Sequence, residues 1–242
     1  MKAVVLAGGY ATRLYPLTRD RPKHLLEVGG RPIIELLLER LPLDELDAVY
    51  VVTNAKFAER FREWSASYPA EVVVLDDGTT SEDDRLGAIG DLQLAIESEG
   101  LDDDLIVAAG DSIFTDRLDD FARFGQERDA AAIAVYDIGD LEEMKRLSSI
   151  GVDEDSRLVT FEEKPENPES TLAGIALYFY PRAVLPLVGR YLAEGNNPDQ
   201  PGRLIGWLYE RTPVYAWRVP GQWFDIGTPE TLAEAEQLFE TN

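Results

Sequence analysis

The 242-residue chain has no cysteine, a single histidine and only two methionines. Without cysteine there are no disulfides, no thiolate metal centre and no cysteine nucleophile. One imidazole, His24, cannot build a histidine metal cluster, and a Ser-His-Asp relay is not expected from it. Long apolar runs are also missing, and none approaches the ~20 residues a membrane span needs. The first residues lack the charged-then-apolar layout of a secretion signal, because Gly8-Gly9 interrupts the apolar run at once. A cytoplasmic location without a membrane partner is the expectation. Basic charge is scarce: Asp and Glu total 46 against 23 Lys and Arg, for a formal charge of -23. Such a surface repels nucleic acid, which is therefore excluded as a partner.

The remaining composition is that of a folded protein. Hydrophobic residues make up 45% and aromatics 10%, enough to bury a core and too much for a disordered chain. Strand-like runs at 3–6, 48–52, 71–75, 104–109 and 131–136 alternate with helical patterns at 32–41, 56–64, 86–96 and 118–128. This alternation predicts βαβ units in an α/β fold, with a doubly wound, mostly parallel, Rossmann-like mixed sheet flanked by helices. Such sheets bind ligands beyond the carboxyl ends of their strands. Gly8-Gly9 and Gly110-Asp111 both stand at such ends.

The pattern changes after about residue 140. Segments 151–153, 158–163 and 172–180 read as antiparallel strands, and 214–219 with 222–224 as a strand pair around Pro220-Gly221. A last helix starts at Thr228 as N-cap, with Pro229 and Glu230 in its first turn. One domain over 1–242 is expected, with a nucleotide-binding half to about 140 and a smaller antiparallel half after it.

The loop after the first strand is the most informative stretch. Leu6-Ala7-Gly8-Gly9-Tyr-Ala-Thr12-Arg13-Leu-Tyr-Pro-Leu-Thr leads to Arg21-Pro-Lys23. Adjacent glycines let backbone N–H groups approach an anion. Arg13 offers a planar fork for phosphate oxygens, and Lys23 a point charge. The loop is neither a Walker A sequence nor a Gly-x-Gly-x-x-Gly fingerprint.

It resembles the signature of the sugar-phosphate nucleotidylyltransferases (NDP-sugar pyrophosphorylases), among them glucose-1-phosphate thymidylyl- and uridylyltransferases. Ala11 stands where that family usually has a third glycine. Further segments extend the resemblance over the whole chain: Gly110-Asp111, Glu163-Lys164-Pro165, and Trp223-Phe-Asp225-Ile-Gly-Thr. Gly151 and Gly174 match glycines that line the family's sugar pocket. In the base-binding loop the family's usual glutamine is absent, with Glu82 or Arg85 nearby, whereas Gly87-Ala88 fits its glycine segment.

The resemblance implies a GT-A-like nucleotidyltransferase fold and a transfer from NTP to a sugar-1-phosphate, most simply dTTP or UTP to glucose-1-phosphate. It implies Arg13 and Lys23 as catalytic cations, and nucleotide contacts from Leu6, Ala7, Gly8, Gly9, Thr12, Arg13, Gly87 and Asp111. Gly110, Gly151, Glu163, Lys164 and Gly174 are implied on the sugar phosphate, and Asp111 with Asp225 on Mg²⁺. His24 is expected to have no catalytic part. A monomer or small homo-oligomer is expected, with no hexapeptide-repeat acyltransferase in the sequence given. A non-catalytic NDP-sugar-binding relative and a cytidylyltransferase for another alcohol phosphate are the alternatives. High acidity with only five lysines also resembles proteins of salt-accumulating halophiles.

Overall fold

Strand β1 (Lys2–Leu6) occupies the centre of the molecule because both of its faces are apolar. Ala3 and Val5 point into one core, Val4 and Leu6 into the other, and all four are buried. The computed structural model describes residues 1–240. After β1 come the short hairpin β2 (Glu27–Val28) and β3 (Arg31–Pro32), then helix α1 (Ile33–Leu38). Three further units follow: β4 (Ala48–Thr53) with α2 (Ala58–Ser65), β5 (Val72–Asp76) with α3 (Ala88–Ser98), and β6 (Leu105–Ala109).

These four strands lie parallel in the order β5-β4-β1-β6. The chain therefore winds outward from β1 to β5 and returns to its other side at β6. That reversal leaves a crevice between the ends of β1 and β6, where no connecting segment crosses. The expected α/β doubly wound arrangement is observed here.

The remaining elements extend the sheet. They are β7 (Ser112–Phe114), α4 (Asp119–Arg128), β8 (Ala131–Asp137), α5 (Leu141–Met144), β9 (Ser148–Val152), β10 (Leu158–Glu163) and β11 (Leu172–Tyr180). Then follow α6 (Leu185–Ala193), α7 (Gly202–Leu208), β12 (Val214–Arg218), β13 (Trp223–Asp225) and α8 (Pro229–Glu240). Long β11 runs antiparallel to β6, β8 and β9, so a single sheet passes through both halves of the sequence. Its register with β8 shifts between Gly174 and Tyr178, which releases Ile175 and Ala176 from that ladder.

One sequence expectation is corrected, and two helices are added to it. Segments 214–219 and 222–224 do not pair with each other. β12 runs parallel to β8, and β13 pairs with β7, because Pro220-Gly221 carries the chain across to the other side of the site. Helices α6 and α7 were not foreseen. Pro186 lies in the first turn of α6 and Gly202 opens α7, which obscures their periodicity in sequence.

Helices α3, α6 and α7 cover one face of the sheet through Leu92, Val188 and Ile205. Helices α1, α2 and α4 cover the other through Leu37, Phe61 and Phe121. A third, smaller cluster joins Leu14, Val28 and Ile113 to Ile226 and Ala235, and it seats α8 beneath the site. Thr228 caps that helix as expected, its hydroxyl accepting from Thr231 N–H at 3.3 Å.

Contact between α4 and β11 is close enough to test. A Cβ at Gly125 would overlap the ring of Phe179, which is fully buried. Gly125→Ala is expected to cost about 1–3 kcal/mol by overpacking, despite alanine's better helix propensity. Thermal melting checks this: a fall of several degrees is expected, and an unchanged or raised Tm would refute it.

Candidate active site

The crevice at the ends of β1 and β6 opens into a cleft of about 530 Å³. Of the residues picked from sequence, Leu6, Gly8, Gly9, Lys23, Gly87, Asp111, Glu163, Gly174 and Asp225 line it. Ala7, Thr12, Arg13, Gly110, Gly151 and Lys164 do not.

Each of these has a place. Ala7 N–H donates to Val52 O at 2.8 Å, which continues the β1–β4 ladder. Thr12 and Arg13 form an exposed 3-10 turn, Thr12–Leu14, at the rim. Arg13 makes no ion pair among the described residues, yet its charge acts on both Lys23 and Asp225. A side chain at Gly110 would press on Val5 and the His24 ring, both at 3.0 Å. At Gly151 it would strike Thr160 across the β9–β10 pair. Lys164 follows β10 with φ 52 and donates its N–H to Leu147 O.

The chemical centre consists of three charges. Lys23 forms an ion pair with Asp111 through Nζ and Oδ2. Burial works to lower the Lys23 pKa, but the charge of Asp111 and their hydrogen bond outweigh it and hold the ammonium above its ordinary value. Burial likewise pushes Asp111 up, and Lys23 outweighs it to keep the carboxyl below its usual range. Asp225 makes no ion pair among the described residues, although the charges of Lys23 and Arg13 act to lower it. Burial and the neighbouring Asp111 push it up to about 6.

Backbone pairing sets these positions: Asp225 lies opposite Ser112 in the β7–β13 pair, and Ile226 N–H donates to Asp111 O at 3.0 Å. Two adjacent carboxylates short of positive charge fit a divalent cation. Magnesium in particular takes one or two carboxylates and leaves its other positions to phosphates and water.

Across the cleft Ser148 Oγ is hydrogen-bonded to Glu163. Arg146, Trp223, Ile175 and Ala176 also line this side, and sequence reading missed them. His24 is buried beside the centre rather than lying in an open loop. Burial and Lys23 lower its pKa to about 3, so the ring is neutral, and its Nδ1 has no hydrogen-bond partner.

A second carboxyl pair, Asp77 and Asp91, was also missed. Asp91 lies in the first turn of α3, among Ile89, Leu92 and Ala95, a charge on an otherwise apolar face. That placement was a readable signal. A methyl group at Gly8 would sit 2.5 Å from Asp91 Oδ2, so Gly8 is required by this pair as much as by any anion. Gly87, at φ 79, also admits no side chain, since the backbone of Pro198 lies 2.7 Å from where a Cβ would be.

Burial and the charge of Asp77 push Asp91 up to about 7. A carboxyl raised in the folded state binds a proton that the unfolded chain releases, so its contribution to stability falls as pH rises from about 4 to 7. Asp91→Asn removes this loss. The variant is expected to melt higher than wild type at pH 8, with the difference vanishing near pH 4. A pH series of melting curves checks this, and an equal difference at both ends would refute it.

The Nucleotidyl transferase family model matches residues 2–242. The chain is 28% identical over 242 residues to the UTP--glucose-1-phosphate uridylyltransferase AglF of Haloferax volcanii, covering 99% of this chain and 97% of that protein. It is 27% identical over 240 residues to the bifunctional protein GlmU of Methanocaldococcus jannaschii, covering 98% of this chain. The chain spans only 54% of the length of that relative. A solved UDP-glucose pyrophosphorylase in complex with UDP-glucose superposes with a TM-score of 0.84 at 19% identity, covering 99% of this chain and 98% of the other. A Bacillus anthracis structure assigned as a glucose-1-phosphate thymidylyltransferase, in complex with sucrose, gives 0.80 at 23%, covering 100% and 96%. With its family model matched from the second residue to the last, the chain belongs to the nucleotidyl transferase family.

Proposed function

We propose that the chain transfers a nucleotidyl group from an NTP to a sugar-1-phosphate, yielding an NDP-sugar and pyrophosphate, with glucose-1-phosphate and UTP or dTTP as the pair. The observation that carries this reading is the Lys23–Asp111–Asp225 group at the crevice between β1 and β6, facing Glu163 across one cleft. The names of AglF and of the two solved structures support the choice of sugar and base.

An oxygen of the sugar phosphate attacks the α-phosphorus in line. A new P–O bond forms, the bond to the bridging oxygen of the β-phosphate breaks, and pyrophosphate departs with that electron pair. The attacking oxygen is already an anion, so no general base is needed; positioning and charge neutralisation supply the rate. Lys23 serves the α-phosphate region, Arg13 reaches from the rim toward the leaving phosphates, and the Gly8-Gly9 backbone bounds the path between them. Lys164 and Glu163 take the phosphate and hydroxyls of the sugar. Asp111 and Asp225 would hold Mg²⁺, which when bound neutralises phosphate charge at the reacting centre.

Pyrophosphate release measured across dTTP, UTP, CTP, GTP and ATP with a panel of sugar-1-phosphates tests the reading, at low and at molar KCl. Release should require both substrates. Asp225→Asn should lower kcat by about 10²–10³-fold, the scale of removing one electrostatic stabiliser, without loss of the folded state. Near-normal turnover in that variant would overturn the metal assignment, and no release from any pair would overturn the reaction.

A further inference from the structure

The backbone of β1 alternates between its two neighbours, and the alternation breaks at Gly8. Leu6 O accepts from Gly110 N–H at 2.9 Å, on the side of β6. Ala7 N–H donates to Val52 O at 2.8 Å, on the side of β4, and Ala7 O accepts there from Thr53 Oγ1 at 3.2 Å. A regular continuation of this period of two would send Gly8 O back toward β6. Instead it turns to the β4 side, where Asn54 Nδ2 donates to it at 2.9 Å. Asn54 is wholly buried, and its amide is fixed at the other end too, Oδ1 accepting from Phe57 N–H at 3.2 Å.

The consequence falls on the next residue. A trans peptide is planar and sets its N–H opposite its C=O, and the Gly8-Gly9 bond is trans. With Ala7 O and Gly8 O both held toward β4, the N–H groups of Gly8 and Gly9 both turn away from it, toward the crevice between β1 and β6. Among the described residues neither N–H has an acceptor, and both glycines line the cleft. Successive N–H groups turned to one side attract an anion.

Building on the nucleotidyl-transfer reading, we propose that Asn54 is a positioning residue for the triphosphate: by holding Gly8 O, it aims Gly9 N–H at a phosphate oxygen beside Gly8 N–H. Asn54 itself touches no substrate. Without its amide, the Gly8-Gly9 peptide is free to resume the alternation of the strand. A carbonyl oxygen, which repels phosphate, then stands where the N–H stood.

Calorimetric titration with inorganic triphosphate and Mg²⁺ tests this. The probe carries no base or sugar and undergoes no transfer, so failure of the turnover assay and failure of this proposal are separate results. Asn54→Ala is the variant of choice, because Phe57 N–H keeps a second acceptor, the backbone carbonyl of residue 54 at 3.1 Å. Wild type should bind, and Asn54→Ala should bind about 10- to 100-fold more weakly, the scale of one hydrogen bond to a charged group. Thr53→Val removes an equally buried donor from the neighbouring carbonyl, whose direction the strand already sets. It should stay within about threefold of wild type. NMR of glycine-labelled protein reads the peptides themselves. Added triphosphate should shift the Gly8 and Gly9 amides of wild type, but only that of Gly8 in Asn54→Ala. The proposal is overturned if Asn54→Ala keeps wild-type affinity, if Thr53→Val loses as much, or if wild type binds no triphosphate. If Asn54→Ala fails to fold, the wild-type Gly9 amide decides: its shift supports the proposal, and its absence overturns it.

Discussion

The ion pair between Lys23 and Asp111 is the contact on which the site depends. It ties the loop after β1 to the end of β6, two segments 88 residues apart in sequence. The pair is partly buried, each side chain 16% exposed, and is not a strong source of stability, because desolvation offsets much of its attraction. Its effect is on arrangement. Lys23, paired with Asp111, and Arg13 both act to lower Asp225, but burial and the charge of Asp111 outweigh them and that carboxyl rises to about 6. The site thus sets two carboxyl groups side by side, next to an ammonium that is already placed. Breaking the pair from either side would strand one buried charge, so both residues are fixed by the same constraint.

A similar constraint acts at Asp77 and Asp91, but there the partner is a proton. The carboxyl pair crowds Gly8, while Asn54 Nδ2 donates to Gly8 O at 2.9 Å and Thr53 Oγ1 to Ala7 O at 3.2 Å. The phosphate-facing loop is thereby held from behind by β4 and α3. Farther along, Ala11 adopts φ 49 and ψ 44, a left-handed conformation costly for a residue with a Cβ. The glycine expected at this position in the family would fit it without strain. Thr18 Oγ1 donates to Ala11 O at 2.7 Å and helps hold the strained residue in place.

Much of this was legible in the sequence. Short apolar runs separated by helical periods identified the central strands within a residue or two. The ends of β1 and β6 marked the crevice before any coordinates did. What escaped was of three kinds. Helices α6 and α7 contain Pro186, Gly189, Gly202 and Gly206, which read as breakers until packing of α6 against α3 and of α7 against β10 and β11 overrides propensity. Strand partners of β12 and β13 depend on where the chain crosses, and local pattern carries no such information. Asp91 follows the polar run 76–85, whose many acidic residues mask it in the sequence. A carboxylate on the apolar stripe of α3 was the more telling sign, since burying a charge there has a cost that some compensating role must meet.

The proposed reaction asks an acidic chain to bind a polyphosphate, which poses a problem of range. At a formal charge of -23, the field far from the surface opposes any polyphosphate. Attraction must come from close contacts, and the cations about the cleft are placed for that. Lys23, Arg85 and Arg146 line the cleft and the charge of Arg13 acts on Lys23, while many other arginines are taken up in surface pairs such as Arg182 with Asp102. Dissolved salt acts differently on the two ranges. At ~1 M the screening length shrinks to ~3 Å, which removes most of the distant repulsion. It leaves a contact such as that between Lys23 and Asp111 largely intact, because it is partly buried and shorter than that length. Raising the salt therefore weakens what opposes the substrate more than what holds it, and so a strongly acidic surface and an anionic substrate are compatible in this fold.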